Sequence, residues 1–156
     1  MKILCRTDAS LKIGTGHVMR CLTLAESLRE KGAEVAFVCR VHPGNLIGIL
    51  REKDFGVHEL SSDNTFDRNL ANKKNRLTVE DYQDWLGCPQ AEDAQLTMKV
   101  VGKEHYDWLI VDHYALDYRW ERTMRSTCKQ IMVIDDLADR RHDCDLLLDQ
   151  NYGSSA

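Results

Sequence analysis

Residues 2–32 read KILCRTDASLKIGTGHVMRCLTLAESLREKG. The opening apolar stretch, residues 2–6, has the length of a short strand. A polar loop follows, Arg6-Thr7-Asp8-Ala9-Ser10 leading into Gly14-Thr15-Gly16-His17. From there Val18, Cys21, Leu22, Leu24, Ala25 and Leu28 recur at the spacing of one helix face, which predicts a helix over 17–31. Gly32 supplies its C-terminal stop. A strand feeding a glycine-bearing loop and then an amphipathic helix is the first βα unit of a parallel sheet.

The rest of the chain repeats that alternation. Strands are expected over 35–39, 56–60, 108–111 and 131–134, with a last apolar run over 146–148. A Pro43-Gly44 turn precedes a helix ending near Lys53. Helices are expected over 78–86, with Thr78 as N-cap and Asp81 at capping-box spacing, then from Pro89 to about Val101, and over 117–126. The polar stretch 61–75 reads as a loop. No repeat or low-complexity tract interrupts the pattern. The expected fold class is therefore α/β, a Rossmann-like doubly wound parallel sheet with right-handed crossovers. In such sheets ligands bind beyond the carboxyl ends of the strands.

The chain of 156 residues is one domain's worth and can bury a core without staples. With 25 acidic against 21 basic residues, the net charge of −4 argues against a nucleic-acid partner. No apolar run approaches the roughly 18 residues of a membrane span. No signal-peptide pattern is visible at residues 1–10, so a cytoplasmic location and no membrane partner are expected. The six cysteines, Cys5, Cys21, Cys39, Cys88, Cys128 and Cys144, form no CxxC pair. Buried thiols are the simplest reading of those in apolar runs, ahead of zinc or disulfides.

Three strand ends carry candidate chemistry. At the first, Gly14 and Gly16 let backbone approach a ligand, and the following helix start offers free N–H groups to a phosphate or diphosphate. The loop is neither GxGxxG nor Walker A, and a tight turn without a ligand is the alternative. His17 stands at that helix start, where a neutral imidazole would be competent as a general base; a capping or core histidine is the other reading. Asp8 suits three roles: orienting His17, binding a substrate hydroxyl, or forming the turn. The second strand end gives Asp112, His113 and Tyr114, and the third Asp135 and Asp136. Together they suggest a sugar-binding wall. Asp and His also invite a metal, but no ligand spacing is diagnostic, and none is expected. The charge-dense stretch 139–145 reads as a solvated loop.

These residues resemble a known family. Arg6-x-Asp8 with Gly14-Thr15-Gly16-His17-Val18-x-Arg20-Cys21-Leu22-x-Leu24-Ala25 is similar to the N-terminal signature of the pseudaminic-acid pathway hydrolases, which are UDP-2,4-diacetamido-2,4,6-trideoxy-β-L-altropyranose hydrolases related to spore-coat polysaccharide proteins. Trp85-Leu86-Gly87 with Asp93-Ala94, Val111-Asp112-His113-Tyr114-x-Leu116-Asp117, and Ile134-Asp135-Asp136-Leu137-Ala138 through Asp149-Gln150-Asn151-Tyr152 agree with it in order.

The resemblance implies a GT-B architecture. Residues 1–152 would be its N-terminal Rossmann-like domain, and 153–156 the start of a linker or the chain's end. A C-terminal UDP-binding domain would be absent from this chain. It implies hydrolysis at the anomeric carbon with inversion: UDP leaves a UDP-linked 2,4-diacetamido-2,4,6-trideoxy sugar, and water is the acceptor. His17 would activate the water. Gly14, Thr15 and Gly16 would lie near the diphosphate or sugar, and Asp8, Asp112, His113 and Tyr114 would line the sugar cleft. Neither metal nor other cofactor is implied, since helix dipoles and donors offset leaving-group charge. Two alternatives remain. One is an inverting glycosyltransferase of the same fold; the other is a non-catalytic sugar-binding module.

Overall fold

In a computed structural model, which describes residues 1–62 and 79–151, the chain folds around one six-stranded sheet. The elements run β1 (Lys2–Thr7), α1 (Gly16–Glu30), β2 (Glu34–Arg40), α2 (Ile47–Glu52), β3 (Gly56–Leu60), α3 (Val79–Leu86), α4 (Gln90–Val101), β4 (Tyr106–Asp112), α5 (Tyr118–Met124), β5 (Cys128–Ile134) and β6 (Leu146–Leu148). Strand order is β3-β2-β1-β4-β5-β6, and every pairing is parallel. This is the Rossmann-like arrangement expected from the alternation. Its order reverses between β1 and β4, so the crevice at their carboxyl ends is where a ligand belongs.

Two cores follow from the period-2 alternation of buried strands. In β1, Ile3 and Cys5 point to the face covered by α1 and α2, while Leu4 points to the face covered by α3, α4 and α5. In β4, Ile110 joins the first face and Leu109 and Val111 the second. Helix α1 buries Val18, Cys21, Leu22 and Ala25, the stripe its periodicity defined. The sheet is thus wound on both faces.

Several boundaries differ from expectation. Strand β5 begins three residues early, at Cys128, because Tyr106 pairs with Cys128 and draws exposed Lys129 and Gln130 into the ladder. Helix α5 begins at Tyr118, since the Asp117 side chain accepts a hydrogen bond from the Arg119 N–H at 2.9 Å and so caps the helix. The expected Thr78 cap, the side chain of Asp81, most of the 61–75 loop and the 152–156 tail lie outside the described residues.

The stretch 139–145 is not a free loop. The His142 ring lies between two carboxylates, with Nδ1 2.6 Å from Glu121 Oε1 and Nε2 3.3 Å from Asp135 Oδ2. Carboxylates only accept, so both ring nitrogens carry protons. Arg140 adds a hydrogen bond to Asp135 at 2.9 Å, and Arg125 holds Asp143 and Asp145. Burial opposes the charge on His142, but Asp135 and Glu121 outweigh it and raise its pKa to about 9. A histidine whose folded pKa is raised contributes stability that is fully present below the unfolded value of about 6.5. That contribution disappears as pH climbs through about 9. The urea midpoint is therefore expected to fall between pH 6.5 and pH 10, and to fall less in His142→Gln. An equal fall in both proteins would contradict the assignment.

Candidate functional site

The loop after β1 is closed by its own backbone. Gly14 N–H donates to Ser10 O at 2.8 Å, and the Ser10 hydroxyl accepts from Lys12 and Ile13 N–H groups at 3.1 and 3.0 Å. Gly14 has φ +80°, a conformation that side chains rarely adopt, so glycine is required there by the turn itself. Gly16 has no such constraint, and a Cβ on it would stand in open space. The loop delivers the chain to the first turn of α1. Thr15 caps that helix without a side-chain hydrogen bond, and no acidic residue occupies its first turn. The helix N-terminus keeps its donors and partial positive charge uncompensated by side chains.

His17 lies in that first turn and reaches across to β4. Its Nδ1 is 2.5 Å from Asp112 Oδ1. Asp112 ends β4, fully buried, directly beside the end of β1. Burial alone would raise the Asp112 pKa, but hydrogen bonds from Arg20 and His17 outweigh it and hold the carboxyl below its usual range. A carboxylate at 2.5 Å must receive a proton from Nδ1. In the tautomer with its proton on Nδ1, the ring presents Nε2 as a lone pair, and Nε2 has no hydrogen-bond partner among the described residues. A ring oriented by a buried carboxylate, with its far nitrogen unpaired, has the geometry in which an imidazole can accept a proton.

An aromatic wall continues from the imidazole. Tyr114 meets His17 edge to face at 4.5 Å between ring centres. Tyr82 and Trp85 of α3 pack beyond it, at 5.5 and 6.1 Å from Tyr114. The Tyr114 hydroxyl donates to Asp136 Oδ1 at 2.5 Å. Burial, then that hydrogen bond, pushes its pKa up, so it stays a donor.

Behind this layer lies a second one, fully enclosed. Arg6 grips Asp93 through Nε and Nη2 at 3.2 and 2.7 Å and Asp8 through Nη1 at 2.7 Å. Asp93 also accepts from Arg40 Nη2 at 2.7 Å and from Trp120 Nε1 at 2.9 Å. Asp8 accepts from the Arg40 backbone N–H at 2.7 Å and lies 3.1 Å from His113 Nε2. His113 Nδ1 accepts from the Ala115 N–H at 3.1 Å, so in the neutral ring the proton is on Nε2, which is off line for a hydrogen bond to Asp8 Oδ2. Burial lowers the His113 pKa and keeps the ring neutral. Burial would raise that of Asp8, but Arg6 and His113 keep it low.

The sequence-predicted residues thus divide. His17, Gly14, Thr15, Gly16, Asp112 and Tyr114 meet at the switch point. Asp8 and His113 do not stand in an open cleft: both are buried, and their side chains are turned on each other and on Arg6. Asp8 does not orient His17 either, because Asp112 at the end of the neighbouring strand is the closer carboxylate. Arg40 was not singled out, and Arg20 and Asp93 stood only within the motifs of the resemblance, with no role given to either. The signal for Arg20 was its position three residues after His17, one turn on along the same helix face.

The cysteines are all free thiols. Burial pushes Cys88 and Cys128 up to about 11, away from nucleophilic use. Among the described residues no group of three His, Cys, Asp or Glu side chains is placed to hold a metal ion. Among them, too, no helix is long and apolar enough to cross a membrane.

Fold and site together define a Rossmann-like α/β domain that carries a histidine oriented by a buried carboxylate beside an uncompensated helix N-terminus. No family model matches the chain. It is similar to the UDP-2,4-diacetamido-2,4,6-trideoxy-β-L-altropyranose hydrolase of Campylobacter jejuni subsp. jejuni serotype O:2, with 28% identity over 157 residues. The match covers all of this chain and 44% of that relative, so the chain spans rather less than half the length of the protein it matches.

Proposed function

We propose that this chain is the base-bearing domain of a nucleotide-sugar hydrolase, acting on a UDP-linked 2,4-diacetamido-2,4,6-trideoxy sugar in a pseudaminic-acid-type pathway. The observation that carries the reading is the His17–Asp112 pair at the β1/β4 switch point, with Nε2 of His17 left free. The similarity to the Campylobacter hydrolase along the whole chain supports the substrate class.

In the proposed reaction His17 Nε2 takes a proton from water as the water attacks the anomeric carbon. Asp112 stabilises the imidazolium that forms. The C–O bond to the diphosphate breaks, and UDP leaves from the opposite face, which inverts the anomeric centre. The N–H groups of α1 and the Gly14-Thr15-Gly16 turn face the developing negative charge. The Tyr114–Tyr82–Trp85 wall offers an apolar surface for the deoxy sugar. Asp8 and His113 support the site from the buried layer. A second, UDP-binding domain in a GT-B arrangement would complete the cleft, with residues 1–152 as its first half. The protein acts in the cytoplasm, where nucleotide sugars are made.

Product analysis with the two-domain enzyme tests this. Free reducing sugar and UDP in equal amounts, with no acceptor present, are the expected products. Turnover only when an alcohol acceptor is supplied would make the enzyme a glycosyltransferase. Binding of the free sugar with no turnover under any condition would make it a sugar-binding module.

A further inference from the structure

We propose that Arg20 is a positioning residue: its guanidinium locks the Asp112 carboxylate in the orientation that fixes the proton on Nδ1 of His17. The proposal rests on the reading of His17 as a base but concerns a different residue and a different observable. Arg20 donates from Nη2 to Asp112 Oδ1 at 2.6 Å and from Nε to Asp112 Oδ2. This is a side-on fork that sets both the plane and the charge of the carboxylate. Asp112 Oδ1 therefore has two donors, Arg20 Nη2 and His17 Nδ1. Oδ2 is occupied by Arg20 Nε and approached by Cys21 Sγ at 3.6 Å. With both oxygens committed, the carboxylate cannot rotate to release the ring.

The guanidinium is itself held. Its Nη1 donates to Gln150 Oε1 at 3.1 Å, and its Nη2 lies 3.1 Å from His17 Nδ1. Because Arg only donates, that approach would favour an unprotonated Nδ1, while Asp112 demands a protonated one. The closer carboxylate, at 2.5 Å, decides the tautomer. A lysine cannot reproduce the arrangement, since a single ammonium has no fork to span both oxygens.

Nitrogen-15 spectra of the histidine rings, recorded on this chain at alkaline pH, read the tautomer directly and need no substrate. The wild-type His17 ring is expected to show predominantly the Nδ1–H form. Arg20→Met and Arg20→Lys are each expected to give a mixture of the two tautomers while the amide spectrum keeps its folded dispersion. Wild-type Nδ1–H population in both variants would overturn the proposal, and so would a wild-type ring that is mainly Nε2–H. If Arg20→Met does not fold, Arg20→Lys alone decides between these outcomes. Loss of the lock alongside normal UDP-sugar hydrolysis by the two-domain enzyme would count against the function proposed for His17, not against the role of Arg20. Absence of hydrolysis with the lock intact would do the same.

Discussion

His17→Ala in the two-domain enzyme is expected to lower kcat by about 10²- to 10⁴-fold, the scale on which a positioned general base contributes. KM is expected to change little, because in the proposed reaction the imidazole meets the attacking water rather than the body of the sugar. The variant should also fold. His17 sits at a helix start, and its ring is held from outside the two cores by Asp112 and Tyr114. Asp112→Asn should imitate the loss, since an amide can offer its N–H side to Nδ1 and stabilise the wrong tautomer. Steady-state kinetics at saturating substrate check both. Turnover within threefold of wild type in His17→Ala would remove the residue from the chemistry.

Asp93→Ala is expected to cost about 3–5 kcal/mol of stability, the usual penalty for stranding buried charge by removing its partner. Two guanidiniums, Arg6 and Arg40, converge on this carboxylate, and the indole of Trp120 donates to it as well. Asp93 and Arg6 are wholly enclosed, so water cannot replace the lost acceptor. Burial pushes the Asp93 pKa up, but the pairing with Arg6 wins and leaves it ionised. The urea midpoint measures the effect. Asp93→Asn, which keeps the shape and one acceptor, should fall between the two. A midpoint for Asp93→Ala equal to wild type would mean the network relaxes without cost.

The same network shows where the sequence ceases to be readable. Strand β1, its loop and α1 were legible because each rests on a local signal: an apolar run, a glycine at positive φ, a stripe at helical period. The parallel sheet followed from the repetition of that unit. Arg6 and Asp93 are 87 residues apart, and Arg40 and Asp93 are 53 apart. No local pattern pairs them, and each alone looks like a solvated charge.

The site divides along the same line. His17 was visible because it occupies a helix start after a glycine loop. Asp112 was visible as a strand-end acid, but its role depends on which strand lies beside β1, a matter of topology. Asp8 lay nearer in sequence, and orienting His17 was one of the three roles it suited. Alternation along β1 and its extension turns it instead toward Arg6 and His113. The 139–145 stretch misled for a related reason: its acids and bases pair with Glu121, Arg125 and Asp135, which lie on elements that the chain order does not place together.

The central claim is that His17 directs water onto the anomeric carbon of a UDP-linked sugar. It is tested most directly by a single turnover of the two-domain enzyme in ¹⁸O-labelled water, with the label and the anomeric configuration of the product read by mass spectrometry and NMR. The account predicts ¹⁸O in the C1 hydroxyl of the released sugar, none in UDP, and a nascent anomer inverted from the substrate. Label in the UDP phosphate would place the attack on phosphorus, and a retained anomer would require a covalent intermediate; either result contradicts the account.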